Sequence, residues 1–295
     1  MHIVVLGDIH GHLHLAWSLV KRIEVFHGIE IAQVLQVGDL GFWPRPGTVL
    51  DRATRRHADQ DPEEISFPEW SSPTELDGGS LLSSCANALL SPEAPDGTRV
   101  DADMVFIKGN HDDYALLPDP SPDGLPIPVD HYGKHRFLPN GCTYRVGGAG
   151  GPLVGSLGGL ERGEARTDGF SDTEAKGVSR EQLDILLTHE PPGRTARGSR
   201  LRRVLEASSP AIVFSGHLHW HERDTLGEVQ LVTLAEVRFN DRGEVDPGCA
   251  GILAWAPAQT PRFEVLHTDF TEAFPGRSML IYPGDDAQIS TPNGP

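Results

Sequence analysis

The sequence predicts an α/β fold, and three observations carry that expectation. Short apolar runs recur along the chain. Each run stops at a polar turn that carries Asp, Asn or His, and the stretch after the first run is periodic as a helix rather than alternating. Brief apolar runs bounded by turn residues suit buried strands, and open α/β sheets gather ligands outside the carboxyl ends of their strands.

The first run, residues 3–6, closes at Gly7-Asp8. Between residues 13 and 26, Ala16, Leu19, Val20, Ile23 and Phe26 fall on one helical stripe, which makes Trp17 and Phe26 helix-core residues. Residues 33–37 form a second strand closed by Gly38-Asp39, and residues 104–107 a third closed by Gly109-Asn110-His111. A fourth, 183–187, ends at Thr188-His189, and a fifth, 211–214, at Ser215-Gly216-His217. Ser179 with Gln182 has the form of a capping box for a short helix ahead of the fourth strand. Residues 229–237, 250–255 and 263–267 are spaced as strands of a meander.

Three segments break this rhythm. Residues 44–101 are rich in Pro, Ser, Asp and Glu and read as a loop insertion with one short helix near 81–90, serving as a lid or a partner surface. The glycine-rich run 147–159 lacks the Gly-Lys-Ser/Thr of a nucleotide loop, so it reads as tight turns and closely approaching strands. One folded domain is expected over residues 1–275, with 276–295 a fraying tail.

Composition excludes several classes. With 38% apolar and 23% charged residues over 295 positions, the chain is neither disordered nor a disulfide-framed miniprotein. A formal charge of −17 disfavours non-specific binding to nucleic acid or anionic membrane. Three scattered cysteines, Cys85, Cys142 and Cys249, form no zinc knuckle and read as reduced thiols, Cys142 as packing. No apolar stretch is long enough to span a bilayer, and the N-terminus lacks the features of a signal peptide. A cytoplasmic protein is expected.

The fourteen histidines matter by their placement. Asp8 and His10 project from the same side of an extended segment and make two legs of a metal site. Asp39 can bridge two cations with its two oxygens, and Asn110 offers a neutral carbonyl oxygen. His189 and the pair His217 and His219 add three imidazoles. Two cations held by mixed N and O donors clamp a phosphoryl group for in-line attack. Without sulfur, the set suits Mn²⁺ above all, with Fe or Zn²⁺ as alternatives, rather than a structural zinc.

Taken together, Asp8-x-His10, Gly38-Asp39, Gly109-Asn110-His111-Asp112, His189 and Gly216-His217-x-His219 resemble the calcineurin-like metallophosphoesterase superfamily, with no motif missing. The resemblance implies a four-layer αββα sandwich of two mixed sheets, with a dinuclear metal site at the C-terminal strand edge. It further implies one metal on Asp8, His10, Asp39 and His219, and a second on Asp39, Asn110, His189 and His217. His111 would protonate the leaving group with Asp112 behind it, and a metal-bridging hydroxide would attack phosphorus. The opening Gly-Asp-Ile-His-Gly is similar to the serine/threonine protein phosphatase branch. That branch's phosphate-gripping arginines are absent here, where Leu40-Gly41 and Lys108 stand instead. The middle of the chain is loosely similar to RNA lariat debranching enzymes.

A phosphodiesterase acting on a small phosphoester or nucleotide is therefore expected. A phosphomonoesterase is the alternative, and a non-catalytic scaffold of the same fold is a further one. Arg194, first of the arginines at 194, 197, 200, 202 and 203, is a candidate substrate contact, unless that segment is a solvated helix face. His12 is a second candidate, with a supporting or surface role as its alternative. Phe42 and Trp43 either stack on a base or wall the pocket. His14 and His221 have no assigned role, and His2, His27, His57, His131, His135 and His267 read as surface or core histidines.

Overall fold

The computed structural model describes residues 1–50, 52–71, 80–161, 168–193 and 200–285. Its elements run β1 (His2–Leu6), α1 (Leu13–His27), β2 (Ile31–Gln36), α2 (Arg52–Gln60), α3 (Phe67–Ser71), α4 (Leu81–Leu90), β3 (Met104–Phe106), β4 (Ile127–Pro128), β5 (His135–Phe137), β6 (Thr143–Arg145) and β7 (Leu153–Leu157). They continue with α5 (Asp172–Val178), β8 (Ile185–Thr188), α6 (Arg200–Ser208), β9 (Ile212–Ser215), β10 (Glu222–Leu226), β11 (Val229–Thr233), β12 (Ala250–Ala254), β13 (Arg262–Val265) and α7 (Thr268–Ala273).

Two mixed sheets result, in the orders β13-β12-β1-β2-β3-β5-β4 and β10-β11-β9-β8-β7-β6. In each, four central strands are parallel and the outer ones antiparallel: β1, β2, β3 and β5 in the first sheet, β7, β8, β9 and β11 in the second. The period-two alternation of side chains assigns the layers. Ile3, Val5, Leu35, Val105, Ile185, Leu187, Ile212 and Phe214 meet between the sheets. Val4, Leu6, Val34, Met104 and Phe106 face outward, against Trp17 and Leu19 of α1 and Leu89 of α4. On the other outer face Leu186 and Val213 pack on α5 and α6 through Val178, Leu201, Val204 and Leu205. The expected four-layer sandwich is this arrangement.

Four local expectations need correction. The insertion carries more helix than expected, because α2, α3 and a 3-10 turn over Pro62–Ile65 accompany the expected α4, and Phe67 and Trp70 anchor it in the outer core. The capping box belongs to Ser171 and Glu174 at the start of α5, while Ser179 ends that helix. The C-terminal strands form no single meander: β11 joins the second sheet beside β9, whereas β12 and β13 complete the first beside β1. Finally, the described part of the tail is packed, with Met279 and Ile281 fully buried. The His14 ring nitrogen Nε2 lies 2.7 Å from the Ile281 carbonyl, the Ile281 N–H donates to Ser18 Oγ at 3.0 Å, and Arg22 donates to the Ser278 carbonyl at 3.0 Å. Polar partners on one face of α1 thus hold a segment whose Pro-Gly composition resembles a fraying end. Residues 286–295 lie outside the described residues. Among those described, no helix is long and apolar enough to cross a membrane.

His135 is a buried core histidine: the fully buried Trp17 donates to its Nε2 at 2.9 Å, and Asp130 lies 3.2 Å from its Nδ1. All three cysteines are free thiols.

Candidate metal centre

The carboxyl ends of five central parallel strands converge on one point. Asp8 and His10 leave β1, Asp39 leaves β2, Asn110 and His111 leave β3, His189 leaves β8, and His217 and His219 leave β9. The first two exit loops are joined by the N–H groups of Ile9 and His10, which both donate to the Asp39 carbonyl at 2.9 and 2.8 Å. Gly109 is needed for this convergence, since a Cβ there would overlap the backbone and Oδ1 of Asp39. His10, Asp39, His217 and His219 have φ values of 45°, 54°, 68° and 59°. A non-glycine residue in this left-handed region costs about 1–2 kcal/mol, and such strain concentrates at functional sites. Here it turns four donor side chains toward the shared centre.

Nε2 of His10 lies 3.3 Å from Nε2 of His219 and 3.6 Å from Oδ2 of Asp39. Oδ2 of Asp8 is 3.3 Å from the same His219 nitrogen. On the other side, His189 Nε2 is 3.3 Å from Asp39 Oδ2 and 2.9 Å from Asn110 Oδ1, and the His217 ring lies 5.1 Å from that of His189. The structure therefore brings together all seven residues expected as ligands. Asp39 differs from expectation in one respect. Its Oδ1 accepts the N–H groups of Asn110 and His111 at 2.5 and 2.6 Å, so only Oδ2 faces both histidine clusters.

The ring partners disclose what this space is built for. Nδ1 of His10 faces Glu64 at 3.1 Å, Nδ1 of His219 faces Glu236 at 3.2 Å, and Nδ1 of His189 faces the Val37 carbonyl at 3.0 Å. Glu64 and the Val37 carbonyl are acceptors that draw the ring proton of His10 and His189 to Nδ1 and leave the Nε2 lone pair aimed inward, and Glu236 places a carboxylate beside His219. The Nε2 atoms of His10 and His219 stand 3.3 Å apart, close enough to share a proton or a cation. Asp8 Oδ1 is buried and has no hydrogen-bond partner. The donors present thus fit divalent cations, with nitrogen and oxygen but no sulfur among them.

Electrostatics agree. Burial opposes charge on His10, but Glu64, Asp39 and Asp8 outweigh it and raise its pKa to about 10. His189 is raised to about 9, burial being outweighed by Asp39 and Asp8. Burial would raise Asp39, yet His189, His10 and His111 hold it well below the usual carboxylate range. His217 is pushed down to about 4 by burial and by the neighbouring His189.

Two sequence assignments change. Asp112 does not support the His111 ring: its oxygens accept the N–H of Phe42 at 2.9 Å and of Gly109 at 2.8 Å, and burial with Asp39 nearby raises it to about 6. It shapes the two loops instead. The His111 ring has Thr54 Oγ1 at 3.4 Å and Glu64 Oε1 at 3.7 Å from Nδ1, with His57 edge-on at 4.8 Å between ring centroids. Burial lowers the His111 pKa, and His10 and His57 lower it further against Asp39 and Glu64. Both ring nitrogens of His12 already have partners, Nδ1 3.1 Å from the Ile9 carbonyl and Nε2 2.8 Å from Asp61. Arg194 lies outside the described residues. Arg200 and Arg202 belong to α6 and meet Asp172 and Glu206 at 3.2 and 3.1 Å, which matches the helix-face reading for that part. Phe42 and Trp43 are buried walls rather than stacking platforms.

Glu64, His57 and Glu236 escaped sequence reasoning. The first two lie in an insertion without strand rhythm, and Glu236 follows a strand that supplies none of the motif ligands. Trp220 also escaped notice, although it directly follows His219 and is 48% exposed.

A two-sheet α/β sandwich that focuses carboxylate, amide and imidazole donors on one strand edge is the architecture of a metal-dependent hydrolase. A family model described as calcineurin-like phosphoesterase matches residues 1–221, and the chain belongs to that family. It is accordingly a hydrolase of phosphoric esters, in a family that works with a dinuclear metal centre. Solved structures similar to it include a predicted phosphoesterase from Streptococcus pneumoniae, at 14% identity and TM-score 0.38 over 96% of this chain and 93% of that one. An archaeal phosphodiesterase matches at 13% identity and TM-score 0.39, covering 90% of this chain and 100% of the other. A putative 5'-nucleotidase from Staphylococcus aureus matches at 13% identity and TM-score 0.47, over 98% of this chain and 57% of that one. Among curated proteins none matches the chain.

Proposed function

We propose that the chain is a phosphodiesterase that works with two Mn²⁺ ions and uses His111 as the acid for the leaving group. The observation that supports the diester preference is that, among the described residues, the cationic side chains nearest the centre are already engaged by acceptors. Lys108, which precedes the Gly-Asn-His-Asp motif, donates to the Gly169 carbonyl at 2.6 Å, and Arg238 lies 3.2 Å from Glu236. Asp8, Asp39, Glu64, Asp112 and Glu236 crowd the same region. A monoester dianion entering this field is repelled more than a diester monoanion.

Bound cations lower the pKa of water toward about 7 and stabilise charge on phosphoryl oxygens. The remaining work falls to the chain. Asn110 and His111 hold Asp39 by their backbone N–H groups and so orient Oδ2. The acceptors on His10 and His189 fix which ring nitrogen points inward, and Glu236 lies beside the outer nitrogen of His219. With Nδ1 of His111 turned toward Thr54 and Glu64, its Nε2 faces away from them, and in the imidazolium form, whose charge Glu64 and Asp39 favour, that atom delivers its proton to the departing alkoxide and leaves the ring neutral. Asp39 Oδ2 lies 3.6 Å from His10 Nε2 and 3.3 Å from His189 Nε2, so a phosphoryl group beside it would be within reach of both clusters.

The deciding experiment compares metal-stripped protein supplied with Mn²⁺ on bis(p-nitrophenyl) phosphate and on p-nitrophenyl phosphate. Faster turnover of the diester supports the proposal, and cleavage of the monoester alone replaces it with the phosphomonoesterase reading. No turnover of either, with Mn²⁺ bound, returns the chain to the scaffold alternative.

A further inference from the structure

The insertion contributes to the metal centre itself. Its 3-10 turn over Pro62–Ile65 is fastened to the loop that carries His10 by several independent contacts. Asp61 accepts the Glu63 N–H with Oδ1 at 3.1 Å while its Oδ2 meets His12 Nε2 at 2.8 Å. Ser66 Oγ donates to the Gly11 carbonyl at 2.9 Å. Residue 11 must be glycine for this docking, because its φ is +81° and a Cβ would overlap the Glu63 carbonyl.

At the tip of the turn sits Glu64, 2% exposed. Its Oε2 is 3.1 Å from His10 Nδ1 and its Oε1 is 3.7 Å from His111 Nδ1. One buried carboxylate thereby faces a proposed metal ligand and the proposed proton donor together. His57, from α2 of the same insertion, lies parallel to the His10 ring at 6.0 Å and edge-on to His111 at 4.8 Å. The carboxylate that the sequence assigned to the His111 ring, Asp112, is committed to backbone N–H groups instead.

We propose that Glu64 is a positioning residue shared by the two halves of the site, and that the 61–66 turn is a fixed wall of the centre rather than a lid. The proposal rests on the metal-dependent reading above. As an acceptor, Glu64 keeps the His10 proton on Nδ1 and the Nε2 lone pair inward. Through the same group it restrains the rotation of the His111 ring. Loss of a carboxylate behind a metal-bound histidine typically costs 10–100-fold in metal affinity.

The test is calorimetric titration of Mn²⁺ into the metal-free full chain, wild type beside Glu64→Ala and Glu64→Gln, followed by kinetics at saturating Mn²⁺ on bis(p-nitrophenyl) phosphate. Glu64→Gln keeps the shape and one acceptor oxygen, so it keeps the chain folded and partly rescues the defect. The expected order of Mn²⁺ affinity is wild type, then Gln, then Ala, with Ala weaker by about 10–100-fold. At saturating metal, kcat falls in both variants while KM stays within about twofold, because His111 is misaligned but substrate contacts persist. Affinity in both variants equal to wild type overturns the proposal while leaving the metal-dependent function standing. A wild-type chain that binds no Mn²⁺ overturns both.

Discussion

The Nε2 atoms of His10 and His219 face one another at 3.3 Å, although each ring has an acidic partner at its far nitrogen, Glu64 for one and Glu236 for the other. That spacing leaves room for a proton or a cation shared between the two nitrogens.

Metal binding should therefore release protons. Their acidic neighbours raise the pKa of His10 to about 10 and of His189 to about 9, so both rings should carry an extra proton at pH 7–8 that a cation must displace. Mn²⁺ affinity should rise with pH from 6 to 8, with up to about two protons leaving per chain. Calorimetry in buffers of different ionisation enthalpy measures this directly. Affinity independent of pH would mean that neither ring faces the cations.

Asp39→Asn should weaken both cation sites at once. Oδ2 is the atom lying 3.6 Å from His10 and 3.3 Å from His189, and the other oxygen is taken by backbone N–H groups. Elemental analysis after dialysis should find fewer than one tightly held ion per chain. Retention of one full equivalent would place Asp39 in a single site.

His111→Ala should leave metal content at the wild-type level and lower kcat for a diester by roughly 10²–10⁴-fold, the usual contribution of a positioned acid. The loss should be smaller for an activated leaving group such as nitrophenolate than for an alkyl one. Loss of metal in this variant would make His111 a ligand.

Docking of residues 276–285 should weaken in mild acid. Burial lowers the pKa of His14, against the Ile281 carbonyl that raises it. The unfolded ring takes a proton near pH 6.5 while the folded ring resists. Stability is thus complete above that pH and declines as pH falls toward the folded pKa. His14→Phe should cost about 1 kcal/mol at pH 8 through the lost hydrogen bond and make the fall in Tm between pH 7.5 and 5 shallower. An unchanged slope would locate the acid sensitivity elsewhere.

The legible part of this molecule was the part written locally. Asp8, Asp39, Asn110, His189 and His217 each follow a run of apolar residues that can only be a buried strand, and a parallel sheet brings its carboxyl ends to one edge. The second-sheet membership of β11 was not legible, because the residues of an added strand state their burial and not their neighbour. Asp112 shows the same limit at the site: adjacency to His111 suggested support for its ring, and the turn geometry spent both oxygens on backbone N–H groups.

Sequence by itself determined the strand-end donors and the class of chemistry, since residue type and spacing are local properties. Only tertiary structure decided that Glu64 and His57 of the insertion and Glu236 beyond β11 complete the centre. These residues lie up to 54 positions from the histidines they touch within the first 111 residues, and Glu236 lies beyond the strand that no ligand motif follows. No local pattern encodes such encounters; they arise when packing of the four layers brings separate loops to one edge.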